Sequence, residues 1–438
     1  PFHFWLPHAM AAPTPVSAYL HSATMVKAGV FLLARLYPAL GNSEPWFWIV
    51  SLTGLATLVY GAWVALFRHD LKGLLAYSTI SHLGLITLLF GIDEPLAVVA
   101  GVFHILNHAT FKASLFMAAG IIDHETGTRD MRRLGGLWKA MPITGALAMV
   151  ASAAMAGVPL LNGFLSKEMF FVEAVNKQSV PVMEWLLPVG ATLAGIFSVA
   201  YSLRFVHDVF FNRPSSNLPK APHEPPHFMR VPVELLVLLC LAVGLLPNLT
   251  IAPVLAAGAQ GALFGGPGTL PFYKLSIWHG FNLPLLMSAI ALVGGVALYF
   301  LLQRRVDLRS LTRTPAVPNR GGRELFARAL EAGTALSRAV TGTLQNDSLQ
   351  RYLLVLFVLI LAAGALPWLR AGTAPALGAP LTGAGAASTA FILLWVLTMA
   401  ATVASVVCHE RRLLALLLVG AVGPVSYTHL TLPTILRV

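Results

Sequence analysis

Runs of apolar residues long enough to cross a bilayer dominate this chain, and they constrain its fold more than any other feature. A helix needs about 20 such residues to span the hydrocarbon core. Candidate runs lie at residues 16–36, 46–67, 73–90, 96–122, 142–175, 187–210, 231–256, 281–302, 352–369, 387–407 and 413–425. The fifth is too long for one straight crossing and contains Gly157, Pro159 and Gly163, so one broken helix is expected at about 142–175. Only 11% of the residues are charged and 57% are hydrophobic, whereas a soluble domain carries about 25% charge. That balance excludes a soluble enzyme, a disordered chain and a secreted disulfide scaffold. The two cysteines, Cys240 and Cys408, lie in or beside apolar runs and suggest no disulfide framework. The expected fold is all-α, a polytopic transmembrane helical bundle.

The formal net charge of +11 raises the question of nucleic acid, and the placement of the charges answers it. Loops 68–72, 123–139, 212–230, 303–351 and 408–412 hold 20 of the 29 lysines and arginines, while the intervening loops hold four. This alternation follows the positive-inside rule, which places the first set in the cytoplasm and accounts for the charge as topology. Nucleic acid is not an expected partner; the lipid bilayer is. Arg204 lies about six residues from a span end, close enough to snorkel. Lys27, Lys112 and Lys167 lie well inside apolar runs, and Lys72 is only a few residues from the membrane.

A lysine at mid-bilayer costs roughly 2.5–3.5 kcal/mol, so these residues need a reason. Structural pairing with a buried acid or a backbone carbonyl is the ordinary one. Glu168 and Glu173 stand near Lys167 and Asp70 near Lys72, but no carboxylate lies within ten residues of Lys112. Instead His104, His108 and Lys112 recur every four positions, which places them on one helix face about 6 Å apart. Imidazole titrates near neutral pH and desolvation draws a lysine towards the same range, so this stripe has the groups a proton relay requires. The alternative is a stripe satisfied by hydrogen bonds to neighbouring helices. His21, Thr24 and Lys27 add polar groups to the first run, and Ser78, Ser81 and His82 to the third. The break at Gly157, Pro159 and Gly163 stands four residues before Lys167; broken helices expose backbone to ions, although a proline kink is the plainer reading.

Two motifs are decoys. His223-Glu224-Pro-Pro-His227 has the zinc-protease spacing, but its prolines forbid the helix that the motif needs. Asn346-Asp347-Ser348 would accept a glycan only in a lumenal loop. No metal site and no cofactor is expected. Residues 320–351 have helical periodicity, with Leu325, Ala329, Leu336, Val340 and Leu344 on one side. Either an amphipathic helix on the membrane surface or a solvated linker fits.

The segment from His3 to Gly29, with Pro13, Pro15, His21 and Lys27, closely resembles the core of antiporter-like membrane subunits. Asp70-Leu-Lys72 through Ser81, Asn107-His108-Ala-Thr-Phe-Lys112 and Pro159-Leu-Leu-Asn-Gly-Phe-Leu-Ser-Lys167 continue the likeness in order, over roughly residues 1–300. That superfamily includes the large A subunit of the multisubunit Na+/H+ antiporter of Mrp type and the proton-pumping subunits of respiratory complex I. Lys27 after Met25-Val26, Ile277-Trp-His-Gly-Phe-Asn282, and further spans beyond a long basic loop resemble the Mrp A subunit.

The resemblance implies two inverted five-helix repeats, with Lys112 as the central relay lysine and Lys167 as the lysine at the broken helix of the second. His21, Lys27, Lys72, His104 and His108 would fall at or beside the polar axis. The family's glutamate–lysine pair would lie upstream of Pro1, and the chain, opening without Met, is expected to be an N-terminally truncated fragment. Residues 424–438 look like a non-native tail. The expected organisation is an antiporter-like transmembrane domain at 1–302, a basic cytoplasmic loop at 303–351 and additional helices at 352–423.

The implied function is that of a membrane subunit of a monovalent cation/proton antiporter in the bacterial cytoplasmic (inner) membrane, a secondary transporter rather than an enzyme. It would move protons along buried lysines and histidines to drive Na+ (or K+) out, with other small membrane subunits of the same complex as partners. Alternatives are a proton-pumping subunit of complex I or of a membrane-bound hydrogenase, a cytochrome with haem on His21, His82, His104 and His108, and a pure scaffold.

Overall fold

The computed structural model describes residues 2–176, 181–213, 218–278, 280–306, 308, 311, 314–315, 322–345, 348–371 and 389–420. The proposed tail at 424–438, most of loop 370–386, Lys177, His279, and Asn346 and Asp347 of the glycan-like motif lie outside them. Two compact units divide the chain, Pro1–Gly333 and Thr334–Val438. The first contains α1 (Trp5–Ala9), α2 (Thr14–Ser22), α3 (Ala28–Leu40), α4 (Glu44–Leu66), α5 (Leu71–Gly91), α6 (Pro95–Thr126), α7 (Pro142–Ala156), α8 (Asn162–Asn176), α9 (Pro181–Val206), α10 (His227–Leu245), α11 (Pro247–Thr250), α12 (Ala252–Phe264) and α13 (Leu283–Arg305). Helix α14 (Gly322–Leu344) reaches into the second unit, which holds α15 (Leu349–Ala371), α16 (Thr389–Val407) and a short helix at 412–420. Among the described residues the one β pairing is an isolated bridge between Asp70 and Asp130.

Seven helical stretches among the described residues are long and apolar enough to cross a membrane. They are Thr14–Leu40, Glu44–Leu66, Leu71–Gly91, Pro95–Thr126, Pro181–Phe211, His227–Leu245 and Leu283–Arg305. The protein is therefore an all-α membrane protein with multiple transmembrane helices. Helices α5 and α6 form its centre and are buried along most of their length, polar residues included. Helix α6 packs against α2, α5, α7, α8, α10 and α12. Outward-facing Phe31, Ile49, Val189, Leu238 and Val293 are exposed, which a lipid solvent accepts. Helices α4 and α5 approach closely along small residues, and a Cβ added to Gly61 would meet the Ser81 backbone nitrogen at 2.6 Å.

The run at 142–175 breaks where Gly157 and Pro159 stand. Gly157 ends α7 in the left-handed region at φ 87°, and Leu160 in the connecting turn also has positive φ, at 71°. A leucine in that conformation is strained and persists only where its surroundings hold it. Two further runs expected as single spans are also broken. The first, 16–36, divides into α2 and α3 around a 3₁₀ turn at Met25–Lys27. Ser22 and Thr24 hydroxyls donate to the Ala18 and Tyr19 carbonyls, competing with the helix for its acceptors. The other, 231–256, divides into α10, α11 and α12, with Pro247 and Pro253 in the first turns of α11 and α12, where a proline's missing N–H costs nothing and the helix before it cannot continue.

The His223–His227 segment is a loop, as its prolines require, and it has a structural use. The Glu224 carboxylate accepts from the backbone amides of Ile143 (2.6 Å) and Thr144 (3.1 Å) and from the Thr144 hydroxyl (2.9 Å), so it caps the N-terminus of α7 from another part of the chain. Glu224→Ala is expected to cost about 0.5–2 kcal/mol of stability, the range for a lost cap. A lower melting temperature of the detergent-solubilised protein checks this, and an unchanged one refutes it. Nearby, Arg132 chelates the Asp130 carboxylate and holds it below the usual carboxylate range.

Candidate functional site

The break between α7 and α8 leaves the last carbonyls of α7 without helical partners, and Lys167 supplies one. Its Nζ donates to the carbonyls of Met155 (2.8 Å) and Ala156 (2.9 Å) and to Ser198 Oγ of α9 (3.1 Å). An ammonium at the negative end of a helix is favourable, so neither Glu168 nor Glu173 is needed beside it. Gly157 lies against the lysine stem, where an added Cβ would come within 2.8 Å of Lys167 Cδ. Gly163 lets α8 cross the end of α7, and a Cβ there would overlap the Ala154 carbonyl oxygen. The Asn162 side chain donates to Thr110 Oγ1 at 2.8 Å, and Asn107 Nδ2 donates to the Asn162 carbonyl at 2.9 Å, which ties the start of α8 to α6.

Lys112 is fully buried on α6, and among the described residues no acid forms an ion pair with it. Its Nζ donates to Ser78 Oγ of α5 at 2.7 Å and lies 3.2 Å from the sulfur of Met155. Met155 therefore touches both central lysines, through its sulfur and its carbonyl. His104 and His108 are buried one and two turns before Lys112, as the four-residue spacing predicts. His82 of α5 joins them, with Nδ1 2.9 Å from His104 Nε2 and the two rings stacked. His104 Nδ1 reaches Ser166 Oγ of α8 at 3.0 Å. On the other side, Tyr201 OH lies 3.3 Å from His82 Nε2 and 3.0 Å from Ser198 Oγ. One continuous hydrogen-bond chain results: Lys167, Ser198, Tyr201, His82, His104, Ser166. Each member can donate in that order, with both imidazoles neutral and His82 and His104 protonated on Nδ1.

The other expected residues surround this chain. Lys72 is buried, and its Nζ reaches the Ala12 carbonyl in the α1–α2 connection at 2.9 Å. Lys27, in the turn between α2 and α3, donates to the Ile105 carbonyl at 2.6 Å. His21 and His108 are fully buried; neither His21 ring nitrogen has a hydrogen-bond partner among the described residues, and the His108 ring has the Ser22 backbone beside it.

Arg204 does not snorkel. It is 1% exposed and donates to Asp208 Oδ2 at 3.2 Å and to the Leu66 carbonyl, with His69 Nδ1 at 3.1 Å. Tyr299 OH donates to the other Asp208 oxygen at 2.8 Å. A π-helical turn at His207–Phe211 aims Asp208 into this cluster.

Reading the sequence missed Ser166, Ser198, Tyr201 and the Arg204–Asp208 pair. A signal existed: Ser198, Tyr201, Arg204 and Asp208 recur every three or four residues in an apolar run, a polar stripe like the one on α6.

Fold and site together define a polytopic helical membrane protein with a buried lysine–histidine–hydroxyl chain at a broken helix. Residues 1–193 match the family described as NADH:quinone oxidoreductase/Mrp antiporter, TM. The chain is 55% identical over 428 residues to the A/B subunit of a probable K(+)/H(+) antiporter of Rhizobium meliloti (strain 1021), covering 97% of this chain and 42% of that protein. It is 39% identical to the A subunit of the Na(+)/H(+) antiporter of Bacillus subtilis (strain 168), covering 97% and 54%. It thus spans about half the length of these curated relatives. Its fold matches a chain of the Mrp complex from Dietzia sp. DQ12-45-1b with a TM-score of 0.66 and 34% identity, over 96% of this chain and 44% of that one. A chain of respiratory complex I from Thermus thermophilus matches with a TM-score of 0.51 and 28% identity, over 61% and 56%. The fold is that of the Mrp and complex I membrane subunits.

Proposed function

We propose that this chain is part of a membrane subunit of a multisubunit monovalent cation/proton antiporter, carrying protons along its buried lysines and histidines while Na+ or K+ leaves the cell. The observation that carries the reading is the hydrogen-bond chain from Lys167 through Ser198 and Tyr201 to His82 and His104. Its members can each pass a proton to the next without leaving their places, at membrane depth, and none of them is a carboxylate. The antiporter relatives support antiport over redox pumping, and the alternation of basic loops supports a bacterial cytoplasmic membrane with those loops inside. Other small membrane subunits are the expected partners. A potential of 100 mV supplies about 2.3 kcal/mol per charge, so moving more protons in than cations out drives the exchange.

The test is collapse of ΔpH on adding Na+ or K+ to everted vesicles from antiporter-deficient bacteria that make the full-length protein with its partners. No response to either cation from an assembled complex rejects the reading. Within it, Tyr201→Phe removes one hydroxyl and keeps the ring that packs in the core. It is expected to slow exchange by about 10–100-fold, the scale of a lost proton-transfer partner, while the complex still assembles. Wild-type rates in Tyr201→Phe take Tyr201 out of the path.

A further inference from the structure

We propose that the oxygens now holding Lys167 form an alkali-cation site, occupied in turn by the lysine ammonium and by the transported cation. This rests on the antiport reading above and adds to it the place where proton and cation compete. The site is built from the Met155 and Ala156 carbonyls and Ser198 Oγ, which surround Nζ at 2.8, 2.9 and 3.1 Å. Two backbone carbonyls at the end of a broken helix and one hydroxyl are hard, neutral oxygen donors on the negative end of a helix dipole. Those are the donors that bind a monovalent alkali ion, and an ammonium is a cation of the same charge. K+, whose oxygen contacts are close in length to those of an ammonium, asks little movement of these atoms; Na+ asks the cage to contract.

The lysine has somewhere to go. A small cavity, about 20 Å³, adjoins it and is lined by Lys167, Ser198, Ser81, His82 and the rings of Phe170 and Phe171. That is room for one water-sized group. Its mostly apolar wall accepts a neutral amine and repels an ammonium, so withdrawal is tied to loss of the proton.

The proton leaves by the chain already described. Nζ gives a proton to Ser198 Oγ, Ser198 passes its own to Tyr201, and Tyr201 passes its own to His82 Nε2. Nζ is then a neutral amine, His82 an imidazolium, and both hydroxyls are restored. The charge departing from the carbonyls equals the charge of the ion arriving, and the region as a whole is balanced once His82 gives its Nδ1 proton on to His104 Nε2 and so out of the site. Groups near Lys167 tune this exchange: Lys112 and His104 from α6, His82 from α5 and, through Ser198, Tyr201 from α9; Glu168 and Glu173 are the acids of its own helix. Lys112 shares Met155 with Lys167, so a proton on one ammonium disfavours a proton on the other.

The experiment uses the purified complex containing the full-length chain and its partner subunits. Binding of ²²Na+ and of ⁸⁶Rb+ is measured against pH, and an indicator dye records protons released when NaCl or KCl, but not choline chloride, is added to weakly buffered protein. The wild type is expected to bind cation more weakly as pH falls and to release protons on binding. Lys167→Met keeps the stem and removes the competitor, so the assembled variant is expected to bind cation with little dependence on pH and without proton release. Ser198→Ala removes one ligand and is expected to weaken binding by about tenfold, the scale of one lost contact to a charge. Wild-type pH dependence and release in Lys167→Met, or loss of cation binding in that variant once assembled, overturns the site. Unchanged affinity in Ser198→Ala overturns it independently. If these variants contradict the site while the wild type still collapses ΔpH in vesicles, the antiport reading stands and only the site falls.

Discussion

Lys112→Ala in the complete complex is expected to abolish cation-driven proton movement, with residual exchange at least a hundredfold below wild type. A lysine with 0% exposure, held among the described residues by Ser78 Oγ and the Met155 sulfur and by no carboxylate, is a costly group to keep as structure alone. An apolar side chain of the same length would fill the space at no electrostatic cost. In the antiport mechanism we propose, its worth lies in changing protonation state within reach of the histidines on its own face and of Lys167 across Met155. Truncation to Ala also leaves a cavity, and losing a buried side chain of this size costs about 2–5 kcal/mol, so a second variant separates packing from chemistry. Lys112→Met keeps most of the volume and the packing against α5 and α7 while removing the titratable group. Both variants are expected to be inactive in the vesicle ΔpH assay, with the complex intact in Lys112→Met. Wild-type exchange in either one removes Lys112 from the path.

How far the sequence announces this site depends on which physical signal each residue leaves. His104, His108 and Lys112 are legible because one helix carries all three and the period of that helix aligns them. The break before Lys167 is legible because glycine and proline are the residues that end helices. The turn at Met25–Lys27 lacks both; it forms because hydroxyls compete for carbonyls and Lys27 is drawn to Ile105 on another helix. Ser198 and Tyr201 are illegible for a different reason. A hydroxyl in a membrane helix ordinarily donates to its own backbone, as Thr192 does to Pro188, and only the packing of α9 against α5 and α7 turns these two towards His82 and Lys167. Arg204 follows the same logic. Its distance from the span end suggests snorkelling, but an acid one turn later and the π turn give it a buried partner.

Gly163→Ala is expected to have the largest structural effect of any single methyl group added near the site. The added Cβ would overlap the Ala154 carbonyl oxygen, which is backbone and cannot rotate away as a side chain could. Relief requires α8 to move off the end of α7, and overpacking of this kind costs about 1–3 kcal/mol or more. That displacement would also carry Lys167, four residues on, away from the Met155 and Ala156 carbonyls, and would pull Asn162 from Thr110 and Asn107. The expected result is a complex that assembles poorly at growth temperature, with a lowered melting temperature and exchange near background in whatever is recovered. Gly29→Ala is the matched control, because a Cβ at Gly29 meets no atom within 4 Å and alanine favours a helix over glycine by about 1 kcal/mol. It is expected to leave assembly and melting temperature at or slightly above wild type. Normal assembly and exchange in Gly163→Ala would mean that the crossing of α7 and α8 is looser than the contact at Gly163 requires, and that the carbonyl cage around Lys167 does not depend on it.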